Sequence, residues 1–187
     1  MRLLPDTLTL SGDGVVLRDW RAVDAPALEP VCGDPAVCQF TSVPWTYTRA
    51  AAEQWISRLP EGRAAGTTLA LAVVEPDADV ALGNVNLVRF DDAERSAALG
   101  YWLMPAGRGR GLATRAARLL CDWGFDALGL RRIELAILPD NPESQRVAER
   151  LGAAPEGVRR NSHEADGRAW DMAIYALSRA STSSSRS

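Results

Sequence analysis

The chain contains no lysine, and all 21 of its basic residues are arginine. That absence excludes a P-loop, whose glycine turn must be followed by a lysine. Cysteine is scarce, occurring only at Cys32, Cys38 and Cys121. The count is odd and the spacing is not that of zinc ligands, so no metal is expected. Cys121 falls within a helical pattern and reads as buried filler rather than a nucleophile. Histidine occurs once, at His163. No stretch approaches the ~20 apolar residues that span a bilayer. Pro5 and Asp6 interrupt the apolar start, so neither a membrane partner nor a signal peptide is expected and the cytoplasm is the default location. A net charge of −3 argues against nucleic acid or an anionic membrane as the main partner.

What is present is the make-up of an ordinary globular protein, 47% hydrophobic and 24% charged in 187 residues. That length suits one domain burying roughly 70% of its unfolded surface. A folded domain over 10–178 is expected, with 179–187 a disordered tail rich in Ser and Arg. Val15–Trp20 reads as a strand, followed by short helical pieces about Pro26–Val31 and Pro35–Phe40. Thr48–Arg63 reads as a longer helix with Thr48 as its N-cap. Thr67–Glu75 and Val80–Phe90 form a hairpin around Pro76-Asp77-Ala78-Asp79, and strand Ser96–Met104 follows. Helix Leu112–Leu128 places Leu112, Ala116, Leu119, Leu120 and Trp123 on one face, with Gly129 suited to its C-terminal cap. Strand Arg132–Leu138, helix Pro142–Leu151 with proline in its first turn, and strands Gly157–Ser162 and Arg168–Leu177 complete a mixed α/β order around one sheet.

The most informative segment is Gly100-Tyr-Trp-Leu-Met-Pro-Ala-Gly-Arg-Gly-Arg-Gly-Leu-Ala113. It reads as a strand, a Pro/Gly turn, a glycine elbow and a helix start. Glycines at a helix entry let backbone N–H groups close on a phosphate, and Arg108 and Arg110 add positive charge there. The dinucleotide fingerprint fails, because its third glycine falls on Leu112 or Thr114 according to the starting glycine. An arginine–glycine RNA-binding repeat is out of keeping with the ordered flanks Tyr101-Trp102-Leu103 and the amphipathic helix. By itself the elbow leaves two readings open, a phosphate site and a plain helix-entry turn.

Arg108-x-x-Gly111-x-Ala113 matches the [Gln/Arg]-x-x-Gly-x-[Gly/Ala] signature of the GNAT N-acetyltransferases. Asn141-Pro-Glu-Ser144-Gln-Arg146 resembles the Asn-x-x-Ser-x-Arg helix of the branch typified by RimJ and RimL. Leu17-Arg18-Asp19-Trp20 with Asp24, Val43-Pro44-Trp45-Thr46-Tyr47-Thr48 and Asp171-Met-Ala-Ile-Tyr175 are similar to other parts of that branch. The resemblance implies an α/β GNAT fold: one mixed, mostly antiparallel sheet of about seven strands, flanked by helices and splayed at the acetyl-CoA site. It also implies acetyl-CoA as cosubstrate, with the pyrophosphate on the main chain of Arg108, Gly109, Arg110, Gly111, Leu112, Ala113 and Thr114. The pantetheine arm would run beside Trp102, Leu103 and Met104, where family members carry a strand bulge that frees an N–H. Asn141, Ser144 and Arg146 complete the implied cofactor contacts. Trp45 and Tyr47, on the loop similar to the branch's substrate side, are candidate substrate contacts, and so is His163, whose intrinsic pKa suits proton transfer but whose segment reads as a solvated hairpin loop. Ser144 and Glu134 are the catalytic candidates, with Glu164 and Asp166 as further bases.

Two departures bear on chemistry. The family's usual acid Tyr is replaced by Ala148, and the Glu of the branch's Glu-Ile-Gly-Tyr-Trp is replaced by Ala98. A strand-borne base is therefore missing, which favours an acceptor amine of low pKa over a lysine side chain. The expected activity is acetyl transfer to a peptide or protein N-terminal α-amine by a monomer or homodimer. A small-molecule amine such as an antibiotic or polyamine is the alternative acceptor, and a non-catalytic acetyl-CoA-binding module is the competing class.

Overall fold

The computed structural model describes residues 3–31, 34–38, 48–77, 79–165 and 168–179. Trp45, Tyr47, Asp166, Cys32 and the segment 180–187 lie outside these described residues. Asp13 and Gly14 take positive φ of 49° and 68°, as a two-residue hairpin turn requires. They join strand β1 (Thr9–Gly12) to β2 (Val15–Arg18). This hairpin adds a strand to the expected set, so the sheet has eight strands rather than about seven.

After β2 come a 3₁₀ segment, Ala22–Val31, and helices α1 (Pro35–Cys38) and α2 (Arg49–Ala64). Thr48 caps α2, its hydroxyl accepting from the Ala51 N–H at 3.2 Å. Strands β3 (Thr68–Val74), β4 (Ala81–Asp91) and β5 (Ser96–Leu103) lead into helix α3 (Leu112–Ala127). Strand β6 (Arg132–Ile137), helix α4 (Pro142–Leu151) and the hairpin β7 (Ala154–Ala165) and β8 (Arg168–Ser178) complete the chain. Gly129 has φ of 62° just past the end of α3, the left-handed stop that glycine supplies.

The sheet order is β1-β2-β3-β4-β5-β6-β8-β7. Helices cover both faces, which is why β3 reads as the unbroken apolar run Thr-Leu-Ala-Leu-Ala-Val-Val. Leu69, Leu71 and Val73 pack into the cluster that includes Leu112, Ala116 and Leu120 of α3. Ala72 and Val74 pack the other way, with Trp20, Leu28 and Ile56.

Every strand pair is antiparallel except β5 and β6, which run parallel. They pair only from Ser96 to Ala98 against Arg132 to Glu134. Beyond that, β5 stays with β4 and β6 stays with β8, so the sheet opens into a V. The bulge expected beside the cleft is not in that place. The β4–β5 register runs unbroken from Gly83 opposite Leu103 to Val88 opposite Ala98, and its irregularity falls between Val88 and Asp91. Backbone groups at the cleft are freed by the splay instead.

Candidate active site

The Met104 N–H donates to the Leu82 C=O at 2.9 Å. Antiparallel alternation then makes Asn84–Trp102 and Asn86–Gly100 the hydrogen-bonded pairs. The same alternation turns the N–H and C=O of Tyr101 and Leu103 away from β4, into the V. The Leu103 carbonyl is already engaged, accepting from Arg108 Nε at 3.0 Å and Nη2 at 2.9 Å. Met104 is buried against Trp20 and Ile56 and does not reach the cleft, so Trp102 and Leu103 alone of the three expected residues line it.

On the α3 side of the V lies a cavity of about 670 Å³. Gly109, Gly111, Leu112, Ala113 and Thr114 form one wall, and Asn141, Ser144 and Arg146 form another. Gly109 and Gly111 have φ of 73° and 71°, and a Cβ on either would meet nothing within 4 Å. Left-handed backbone, not crowding, is what demands glycine there. Gly111 is the N-cap of α3 and brings no side chain to its first turn. The opening N–H groups of the helix are thus left for a ligand, at the positive end of the helix dipole. This donor set suits a pyrophosphate.

The arginines divide. Arg108 lines the cavity, but its guanidinium also donates to Asp34 at 2.5 Å and is held in place. Arg110 is off the wall, in an ion pair with Glu75. Arg146 lines the wall, is exposed and makes no ion pair among the described residues.

On the opposite face of the sheet a second cavity, about 350 Å³, takes its walls from β4, β5 and the β7–β8 hairpin. Trp55 and Trp102 stand on its wall. Both pack on Trp20, with ring centroids 5.3 and 6.2 Å away. Trp20 in turn donates through Nε1 to Asn84 Oδ1 at 3.0 Å. Asn86 also lines this wall, and its buried Oδ1 has no partner among the described residues. His163, expected at the substrate, lines the cavity from β7.

The two cavities share Tyr101, Trp102, Asn141 and Ser144. Asn141 caps α4, accepting from the Ser144 N–H at 3.1 Å. The Tyr101 hydroxyl donates to the Ser144 C=O at 3.3 Å, and burial pushes Tyr101 up to about 12. Tyr101 was not among the sequence candidates, because its alternation with Leu99 and Leu103 marks it as core. Asn84 and Asn86 were also missed, although two amides two apart in the otherwise apolar run 81–88 are a readable signal.

Other candidates fall elsewhere. Glu134 lines neither cavity. It sits opposite Ala98 at the closed end of the V, where Arg132 at 3.3 Å and Arg159 at 3.1 and 3.2 Å engage both of its oxygens. Ala98 does line the smaller cavity, so an acid at this position would face it. Ala148 is fully buried in the core. Cys121 is buried too, and burial pushes its thiol up to about 12, leaving it neutral. Among the described residues no helix is long and apolar enough to cross a membrane.

The chain is similar to known proteins. The family described as "Acetyltransferase (GNAT) domain" matches residues 15–154. The N-acetyltransferase p20 of Bacillus licheniformis is 27% identical over 169 residues, covering 90% of this chain and 95% of its own. The spermidine N(1)-acetyltransferase of Escherichia coli is 38% identical over 85 residues, covering 46% of this chain and 45% of its own. Among solved structures, Mycobacterium smegmatis RimJ in complex with CoA-disulfide superposes with a TM-score of 0.79 at 26% identity, covering 92% of this chain and 86% of that one. A glycine cradle on a helix start, a splayed sheet and a family match over most of the chain lead to one conclusion: this protein belongs to the GNAT acetyltransferases.

Proposed function

We propose that this acetyltransferase modifies the α-amine of a peptide or protein N-terminus. The observation that carries the reading is the chemistry of the acceptor-side cavity, which has no carboxylate on its wall among the described residues. Deprotonating a lysine-like amine of pKa ~10.4 at pH 7.4 costs about 4 kcal/mol, whereas an α-amine near 7.8 costs about 0.5 kcal/mol. A wall without an acid offers little help with the first and is sufficient for the second. The spermidine N(1)-acetyltransferase likeness raises a polyamine acceptor, but a polycation calls for carboxylates, and the described residues of this wall include none.

Acetyl-CoA supplies an acyl thioester: the neutral amine forms the C–N bond, the C–S bond breaks, and the proton shed by nitrogen ends on the departing sulfur. The helix start at Gly111–Thr114 and Arg146 hold the phosphates. Backbone groups of Tyr101 and Leu103 hold the pantetheine arm, and the freed Tyr101 N–H polarises the thioester carbonyl. The Ser144 side chain, where the two cavities meet, delivers the proton to sulfur. Transfer is direct: the described cysteines, Cys38 and Cys121, are buried and line neither cavity.

The test is to incubate the protein with acetyl-CoA, N-terminal peptides and small amines, and to read acetylated products by mass spectrometry. Acetylated α-amines with lysines untouched support the proposal. Product on small amines alone overturns it.

A further inference from the structure

We infer that Arg89 is a specificity residue that receives the carboxylate of an acidic side chain in the second or third position of the acceptor peptide. This rests on the peptide α-amine reading above. Along β4, Asn84, Asn86 and Val88 line the acceptor cavity, while Val85 and Leu87 belong to the core on the opposite face. Strict alternation would send residue 89 to the core face. Instead the register breaks between Val88 and Asp91, Phe90 takes the core-facing place, and Arg89 remains on the acceptor side with φ of 50°.

A β-branched or long side chain rarely takes left-handed backbone, so a non-glycine residue there stores strain. Bulges beside active sites commonly re-aim a side chain. Here the side chain so aimed is a guanidinium with no ion-pair partner among the described residues, on a cavity wall without a described carboxylate. The combination suits an anion supplied by the acceptor.

Reach sets which anion. Val85 stands opposite Tyr101 at the meeting point of the two cavities, and Arg89 is four strand residues further on, about 13 Å along β4. The carboxylate of a free α-amino acid is adjacent to its own amine and cannot span that distance. An extended peptide advances about 3.3–3.6 Å per residue. With two side chains reaching toward each other, an Asp or Glu two or three residues into the peptide meets Arg89 while its α-amine lies beside Tyr101.

The experiment compares kcat/KM for two peptides identical except for Asp-Glu or Asn-Gln at positions two and three. The wild type is expected to favour the acidic peptide by about tenfold, the low end for a charge-assisted hydrogen bond. Arg89→Asn and Arg89→Gly both suit left-handed backbone, and in both the ratio should fall to near one. Arg89→Lys should keep most of the preference. An unchanged ratio in the Asn and Gly variants, or equal use of both peptides by the wild type, overturns the role of Arg89 while leaving the peptide reading intact. Failure to acetylate either peptide, with acetyl-CoA binding demonstrated by calorimetry, overturns both.

Discussion

The side-chain oxygen of Asn86 occupies the space that a Cβ on Gly100 would need, and the two residues are directly opposed in the β4–β5 register. Glycine at 100 thus lets an amide oxygen stand in the acceptor wall, buried and without a partner among the described residues. A buried acceptor without a hydrogen bond costs about 1–3 kcal/mol, a cost a substrate N–H would remove. Gly100→Ala should displace Asn86, lower stability by about 1–3 kcal/mol and raise KM for the amine with little change in acetyl-CoA affinity. Asn86→Val should hold or raise the melting temperature while lowering kcat/KM for the acceptor. Thermal denaturation paired with steady-state kinetics separates the two effects.

Arg110 and Arg146 should differ sharply in cofactor binding, although both lie within the two signature segments. Arg146 lines the cavity with no ion pair among the described residues, whereas Arg110 is paired with Glu75 off the wall. Loss of a charge-assisted contact is worth roughly 1.5–3 kcal/mol, so Arg146→Ala should weaken acetyl-CoA binding by roughly tenfold or more. Arg110→Ala should change it by less than about twofold, the typical scale for an exposed pair. Isothermal titration of both variants gives the answer directly.

Ser144 takes part in two different ways, through its backbone carbonyl and through its hydroxyl. Tyr101→Phe removes the hydrogen bond to that carbonyl and should cost about 0.5–1.5 kcal/mol of stability. Because burial holds Tyr101 up to about 12, the phenol stays protonated across any usable assay range. The pH–rate profile should therefore have the same shape in wild type and Tyr101→Phe. Ser144→Ala should lower kcat with acetyl-CoA affinity preserved. Unchanged kcat would remove Ser144 from the chemistry.

Acid should destabilise the protein through exposed carboxyls that arginine partners hold below their ordinary range. Arg18 and Arg21 do this to Asp79, and Arg132 does it to Glu156, in each case through side-chain hydrogen bonds first. A carboxyl with a depressed folded-state pKa contributes stability above its unfolded value, about 3.9 for Asp and 4.3 for Glu, and loses it as pH falls through the folded one. The melting temperature should drop as pH is lowered below about 4, and Asp79→Asn should flatten part of that slope. A parallel pair of curves for the two proteins would show that Asp79 contributes nothing to it.

Local sequence settled whatever a few neighbouring residues decide among themselves. The cap at Thr48, the terminating glycine at Gly129, the glycine elbow at a helix start and the signatures at Arg108–Ala113 and Asn141–Arg146 were all legible. Each depends on φ/ψ preference or on a hydrogen bond three or four residues away. The Asp13-Gly14 hairpin was equally legible in principle, since its turn residues alone demand it.

Which charges are free was settled only by tertiary structure. Arg108 is committed to Asp34, 74 residues away, and Arg110 to Glu75, 35 residues away. Glu134 is claimed by Arg159 from another strand. Arg89 owes its place on the acceptor wall to a register break between β4 and β5. Ion pairing and strand register depend on which distant segments meet in space. A one-dimensional pattern records the residue types available for those meetings but not the partners they find.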